Sequence, residues 1–435
     1  MPRRAIVLTL LLLVVQSWSG HAQDLAADLD AHVREVMPKV IAWRRDVHEH
    51  PELSNREIRT SALIAAHLRA LGLEVQTGIA KTGVIGILRG GHPGRVVALR
   101  ADMDALPVTE ATDLPFRSVV KSTYDGQTVG VMHACGHDAH VAMMMGVAEV
   151  LAGVRAQIPG TVKFIFQPAE EGPPPGETGG AADMVKEGVL ENPHVDAIFG
   201  LHVMPLEQGS IWFRAGGMMA SSDTVHITVH GRQTHGAVPW GGVDPVVVSA
   251  QIISSLQTIV SRQMDLTTAP AVITIGRING GVRFNIIPDT VQMDGTIRAL
   301  DPAMQRDLRA RVKRTAEMVA ASAGATADVT FDIDTAPMVL NDATLTQAMT
   351  PTLRRVSDGR VFEARPRTVA EDFSRFQQQV PGLFFYLGVN KEGVDPATVA
   401  ENHSPLFYVD EGALPAGVRA MANLAVDYLR NNARP

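Results

Sequence analysis

The chain holds one cysteine, Cys135, in 435 residues, so no internal disulfide can form. Basic clusters are also missing. Nucleic-acid binding needs a concentrated cationic surface, and a formal charge of −7 with no run of Lys and Arg argues against that class. After the first residues no apolar stretch approaches the roughly 20 residues needed to cross a bilayer. There is no internal repeat and no low-complexity tract, which excludes solenoid and linker-like organisation.

The N-terminus carries the layout of a secretory signal. Arg3 and Arg4 precede an apolar run from Ala5 to Val15, and Gly20-His21-Ala22 offers a small-x-small cleavage site. Cleavage after Ala22 is expected, giving a periplasmic or secreted chain that starts at Gln23, carries about −9 and has no membrane association. A lone cysteine in an oxidising compartment is ordinarily a small buried hydrophobe. Its neighbours give this one a different reading. The mature length exceeds what one hydrophobic core supports, so two domains are expected.

Helical periodicity runs from Leu25 to Leu71, with Val36, Val40, Trp43 and Val47 at three- and four-residue spacing, a break at Pro51, and a stop at Gly72. Strands are expected at Val84 to Leu88 and Val96 to Leu99, separated by a turn at Gly90 to Gly94. Val141 to Leu151 reads as a helix capped by Asp138. Val162 to Phe166 and Ala197 to Val203 read as buried strands. The alternation implies an α/β fold with a central mixed sheet. From Ser221 the order becomes β-α-β-β-α-β, the mark of a smaller α+β domain inserted at 221–333. The expected organisation is a signal peptide at 1–22, a catalytic domain at 23–220 and 334–435, and that insert.

Metal-ligand residue types concentrate in a few short stretches. His133-Ala134-Cys135-Gly136-His137 places a thiolate and an imidazole two residues apart, on a glycine-containing loop before a helix. Glu170 and Glu171 follow a buried strand, where adjacent carboxylates can divide metal binding from substrate chemistry. His202 ends another strand, and His403 lies far off in a Glu-Asn-His-Ser-Pro run. Asp102 and Asp104 follow the strand at Val96 to Leu99. Each alone is weak, since a single histidine or acid pair is usually structural. Together, at strand ends of one α/β domain, they point to a ligand site, because open sheets place ligands beyond the carboxyl ends of their strands.

The sequence resembles the M20 family of metallopeptidases, in the amidohydrolase branch with hippurate and auxin-conjugate hydrolases. The resemblance rests on RRDVHEHPELSNRE (Arg44 to Glu57), LRADMDALP (Leu99 to Pro107), HACGHDAH (His133 to His140), QPAEEG (Gln167 to Gly172), GLHV (Gly200 to Val203), FNIIPD (Phe284 to Asp289), GTIRA (Gly295 to Ala299) and NHSP (Asn402 to Pro405). These follow the family's order over nearly all of the mature chain. The resemblance implies a two-metal site held by Cys135, His137, Glu171, His202 and His403. A thiolate ligand suits Zn or Co, and carboxylate and imidazole also accept Mn or Ni, so two divalent transition-metal ions are expected. It implies Glu170 as general base and Asp104 as the group orienting a metal ligand. It also implies that the insert mediates a homodimer and brings His235, Asn285 and Arg298 to the substrate. The chain departs from the family pattern after Pro239, where Trp240 stands, and in the proline-rich Pro173 to Glu177. His48, His50, His133, His140, His226 and His230 are read as structural.

The expected function is hydrolysis of the amide bond of a small N-acyl amino acid by metal-activated water. A dipeptidase or carboxypeptidase would apply the same chemistry to a peptide bond. A metal-free enzyme with Cys135 as nucleophile leaves the Glu pair, His202 and His403 without a role. A binding protein that had lost turnover would not need the complete set of ligands and base.

Overall fold

The structure, a computed structural model, describes residues 3–432, with side chains described for residues 25–332 and 336–432. The expected signal segment, 1–22, therefore lies outside the residues whose side chains are described. The first helix, Arg3–Glu49, ends just before Pro51. The next, Ile58–Ala70, buries Ile64, Ala65 and Leu68 and gives way to Gly72, whose φ of 71° requires the left-handed backbone that glycine tolerates.

The chain divides into two compact units: one takes the chain up to Arg214 with Asn341–Ala364 and Phe376–Pro435, the other Ala215–Leu340 with Arg365–Arg375. The second unit runs wider than 221–333. Its returning segment is stitched to its opening by backbone bonds: Ala220 N donates to Arg367 O and Val369 O, and Arg367 N donates to Met218 O, each at 3.0 Å. Pairings between backbones so far apart in sequence leave no local pattern to read.

The first unit is built on an eight-stranded mixed sheet in the order Glu74–Ile79, Gly83–Arg89, Pro159–Gln167, His92–Asp102, Ala197–Met204, Gly382–Gly388, Ile211–Phe213, Val361–Glu363. The four central strands, Pro159–Gln167 through Gly382–Gly388, run parallel, with antiparallel neighbours on both sides. Continuous apolar runs such as Val162 to Phe166 suit strands covered on both faces. The helix His137–Gly153 packs against the first and last helices, Arg3–Glu49 and Leu414–Asn431. Because the central strands are parallel, Asp102, Gln167 and Met204 end on one edge of the sheet, the edge that gathers ligands in open α/β sheets.

The second unit is an antiparallel four-stranded sheet, Ala271–Gly280, Thr290–Ala299, Ser221–His230, Thr326–Ala336, with two helices. Ser221–His230 alternates strictly between buried and half-buried, so Val225, Ile227 and Val229 join Ile252, Leu256, Leu308 and Val312 in one core. Asp244 caps the helix Pro245–Gln263 by accepting from Val246 N and Val247 N, and Asp301 caps Pro302–Ser322 through Met304 N. Among the described residues no helix is long and apolar enough to cross a membrane.

Candidate metal centre

Cys135 and His137 are set by the backbone around Gly136. Gly136 has φ 94°, and a Cβ there would meet Val203 Cγ2 at 2.3 Å. The turn therefore needs glycine both for its conformation and for its closeness to the neighbouring strand. His137 opens the helix and is fully buried. Its Nδ1 donates to the Asp104 carbonyl at 2.8 Å, which fixes the tautomer and turns Nε2 inward. That Nε2 has no hydrogen-bond partner among the described residues.

His202 is fixed in the same manner: its Nδ1 donates to Val203 O at 2.8 Å, and its Nε2 stands 3.3 Å from Cys135 Sγ. Glu171 Oε1 lies 3.2 Å from His403 Nε2 and 4.0 Å from His137 Nε2, while Glu170 Oε2 is 3.9 Å from His137 Nε2. The distant Asn402-His403 loop is tied in through Asn402 Nδ2, which donates to the carbonyls of Cys135 (3.0 Å) and Val203 (3.2 Å). All five expected ligands thus converge. Cys135 groups with His137 and His202, and again with Glu171 and His403, the candidate ligand atoms of each group lying within 4.8 Å of one another.

Asp104 grips the turn that carries the acids. Its Oδ1 accepts from Glu170 N at 3.1 Å, and its Oδ2 accepts from Glu171 N at 3.0 Å and Ser54 Oγ at 2.7 Å. It therefore positions both the imidazole of His137, through its carbonyl, and the acid pair, through its carboxylate. Behind it, Asp102 accepts from Arg100 Nη1 at 2.7 Å and from His140 Nδ1 at 2.5 Å. His140 Nε2 accepts from Val203 N at 2.9 Å, so both ring nitrogens are occupied.

Electrostatics show that this cluster is short of positive charge. Burial opposes protonation of His137, yet Asp102, Asp104 and Glu171 raise it to about 10. Burial and the nearby Glu171, Glu170 and Asp102 push the Cys135 thiol well above its usual range. Burial, with the neighbouring His140 and His137, lowers the His202 pKa well below its usual value. Thiol, imidazole and carboxylate donors around an inward-facing, unpartnered imidazole nitrogen fit a soft or borderline divalent cation. The same electrostatics argue against a cysteine nucleophile, which needs a depressed thiol pKa.

Two residues play parts that differ from the sequence reading or were missing from it. Asp138 does not cap the helix: the N-cap is Gly136, with no side-chain bond. Asp138 sits buried in the first turn, accepting from Arg44 Nε at 2.8 Å and His48 Nδ1 at 2.9 Å, partners more than 80 residues away in sequence. Glu57, within the quoted RRDVHEHPELSNRE stretch, accepts from Ala169 N at 2.9 Å, directly before the acid pair. Its place in that motif was the available signal. His133 is buried with neither ring nitrogen hydrogen-bonded among the described residues, and burial lowers it to about 3.

In the second unit, His235 pairs with Ile286 in a short antiparallel ladder, and Gly236 N donates to Asn285 O at 2.8 Å. His235 Nδ1 accepts from Ala237 N at 3.0 Å, which leaves the ring proton on Nε2, on an exposed side chain. Arg298 is half-buried beside Asp223, and burial lowers its pKa.

Fold and cluster together place the protein among α/β proteins whose parallel strands end at a metal-competent group of donors, with Cys135, His137 and His202 buried, Glu171 half-buried and His403 exposed. Comparison narrows this: residues 98–427 match the model of peptidase family M20/M25/M40, and the chain belongs to that family. It is 42% identical over 407 residues to thermostable carboxypeptidase 1 of Saccharolobus solfataricus, covering 93% of this chain and 99% of that one. It is 39% identical over 390 residues to N-acetylcysteine deacetylase of Bacillus subtilis, covering 89% and 96%. A crystal structure from Bacillus subtilis, described as a dinuclear metal binding peptidase from M20 family, superposes with a TM-score of 0.77 at 36% identity, covering 91% and 99%.

Proposed function

We propose that this metal-dependent hydrolase cleaves the amide bond of small N-acyl amino acids, releasing a carboxylic acid and an amino acid. The observation that carries this reading is the convergence of Cys135, His137, Glu171, His202 and His403 on a largely buried, cation-deficient cluster that opens to solvent at His403. Those five would hold a pair of divalent transition-metal ions, Zn, Co, Mn or Ni, as the dinuclear relative supports. When bound, such ions polarise an acyl oxygen and acidify water.

The chain's own groups do the rest. Glu170 takes a proton from the attacking water and passes it to the leaving nitrogen. Asp104 holds Glu170, Glu171 and His137 in register. From the second unit, His235 offers its Nε2–H as a hydrogen-bond donor for the developing oxyanion, with Asn285 beside it. Arg298, whose planar fork matches a carboxylate, is assigned to the free carboxylate of the substrate. The second unit is assigned a dimerisation role. The outer half of its edge strand Ala271–Gly280 is exposed, as are Val246 and Val247 on its first helix. Export rests on the basic start and apolar run of 3–22.

The relatives' names span a carboxypeptidase and a deacetylase, so the acyl group is the open choice between an N-acyl and a peptidyl substrate. The test is an assay of the chelator-stripped protein, with and without added Zn, Co, Mn or Ni, on benzoylglycine, N-acetyl amino acids and dipeptides. Metal-restored hydrolysis that is fastest on N-acyl amino acids supports the proposal. Fastest turnover of peptides moves the assignment to a carboxypeptidase or dipeptidase, and no metal-restored hydrolysis of any of them removes it.

A further inference from the structure

Glu57 is the first residue before the helix Ile58–Ala70, where a side chain ordinarily accepts from the first helical N–H groups, yet it makes no such bond. Glu52 takes over that work, accepting from Arg59 N at 2.9 Å and Thr60 N at 2.8 Å. The Glu57 side chain is fully buried and reaches 112 residues along the chain instead. Its Oε1 accepts from Ala169 N at 2.9 Å, and its Oε2 accepts from Thr82 Oγ1 at 2.6 Å. Ala169 is held at φ 51°, a left-handed conformation that is unfavourable for an L residue. The next two N–H groups, of Glu170 and Glu171, go to Asp104. Three consecutive backbone donors are therefore gripped by two buried carboxylates, and the strained residue in the series is the one Glu57 holds.

We infer that Glu57 is a positioning residue for the metal centre and the reaction, acting through the Ala169 backbone to aim Glu170 and Glu171. The inference rests on the reading of those two as base and ligand. Without the acceptor at Ala169 N the turn relaxes toward right-handed backbone and both carboxylates swing from the cluster. What matters is an acceptor oxygen at the right reach, and the charge is secondary. Glutamine preserves that oxygen, and aspartate, one methylene shorter, keeps the charge and loses the reach.

The experiment compares Glu57→Ala, Glu57→Gln and Glu57→Asp with the wild-type chain by zinc affinity, measured in competition with a chromophoric chelator, and by kcat and KM. The expected result is a loss of about 10–100-fold in zinc affinity and in kcat for Ala and Asp, the range for groups that orient metal ligands, with KM little changed. Gln stays within a few-fold of wild type in both. Should Glu57→Ala fail to fold, the contrast between Gln and Asp carries the same information. Folded Ala and Asp variants with wild-type zinc affinity and kcat, lowered only in melting temperature, would reduce Glu57 to a structural acid and overturn the inference. A Gln variant as impaired as Asp would overturn it too. A wild-type chain that binds zinc and hydrolyses no amide defeats the functional reading alone, because the zinc arm still reports on Glu57.

Discussion

His137 turns its Nε2 to the cluster because its Nδ1 is committed to a backbone carbonyl, and Glu170 stands 3.9 Å from that nitrogen. On the proposed reading Glu170 acts on a proton as base and Glu171 beside it is a metal ligand, so their substitutions should separate. Glu170→Gln should lower kcat by about 10²–10⁴-fold, the usual worth of a general base, with bound metal unchanged by elemental analysis. A Glu170→Gln variant that lost its metal instead would reverse the two roles. At this scale the sequence was most informative where chemistry is local in kind: a thiol, imidazoles and acids in short motifs marked the ligand candidates, and all five meet. It was least informative where a side chain's partner is remote. Asp138 looked like a cap because caps are read from neighbours, whereas Arg44 and His48 outcompete the helix's own N–H groups in the buried interior.

Elements position these residues through close approaches that permit little variation. The loop from His133 to His137 lies against Val203 at Gly136, and the Asn402 amide ties the same loop to the far end of the chain. Gly136→Ala must adopt a left-handed backbone at about 1–2 kcal/mol. Its methyl would also overlap Val203 Cγ2, adding about 1–3 kcal/mol. Denaturant unfolding should show that loss, accompanied by weaker zinc binding as Cys135 and His137 are displaced. Unchanged stability and zinc affinity would mean that the loop is not fixed in this way. The central strands were legible as apolar runs, and the insert's strands as alternation. Flanking strands such as Glu74–Ile79, largely exposed, and Ile211–Phe213 and Val361–Glu363, three residues each, carry too little pattern to be read alone. Gly382–Gly388 is fully buried and apolar, and the run Leu383 to Leu387 was open to the same reading as Val162 to Phe166.

Across the molecule, two units each enclose their own hydrophobic core, and the chemistry-bearing motifs of the first come from segments between Asp104 and His403. Parallel strand topology explains the convergence: it brings the ends of three separate strands to one edge, so short motifs scattered over the chain meet there. Within the first unit, buried Asp102 and Asp104 together with Glu171 leave His137 raised despite its burial, a local deficit of positive charge. Divalent metal, on which hydrolysis would depend, would meet this deficit. The most direct measurement is metal content by mass spectrometry on the purified chain, paired with turnover of an N-acyl amino acid before stripping, after stripping and after reloading. About two divalent transition-metal ions per chain are expected, as in two-metal hydrolases, with activity lost on removal and regained on return. Turnover that survives complete stripping and ends only on alkylation of Cys135 would contradict that dependence on metal.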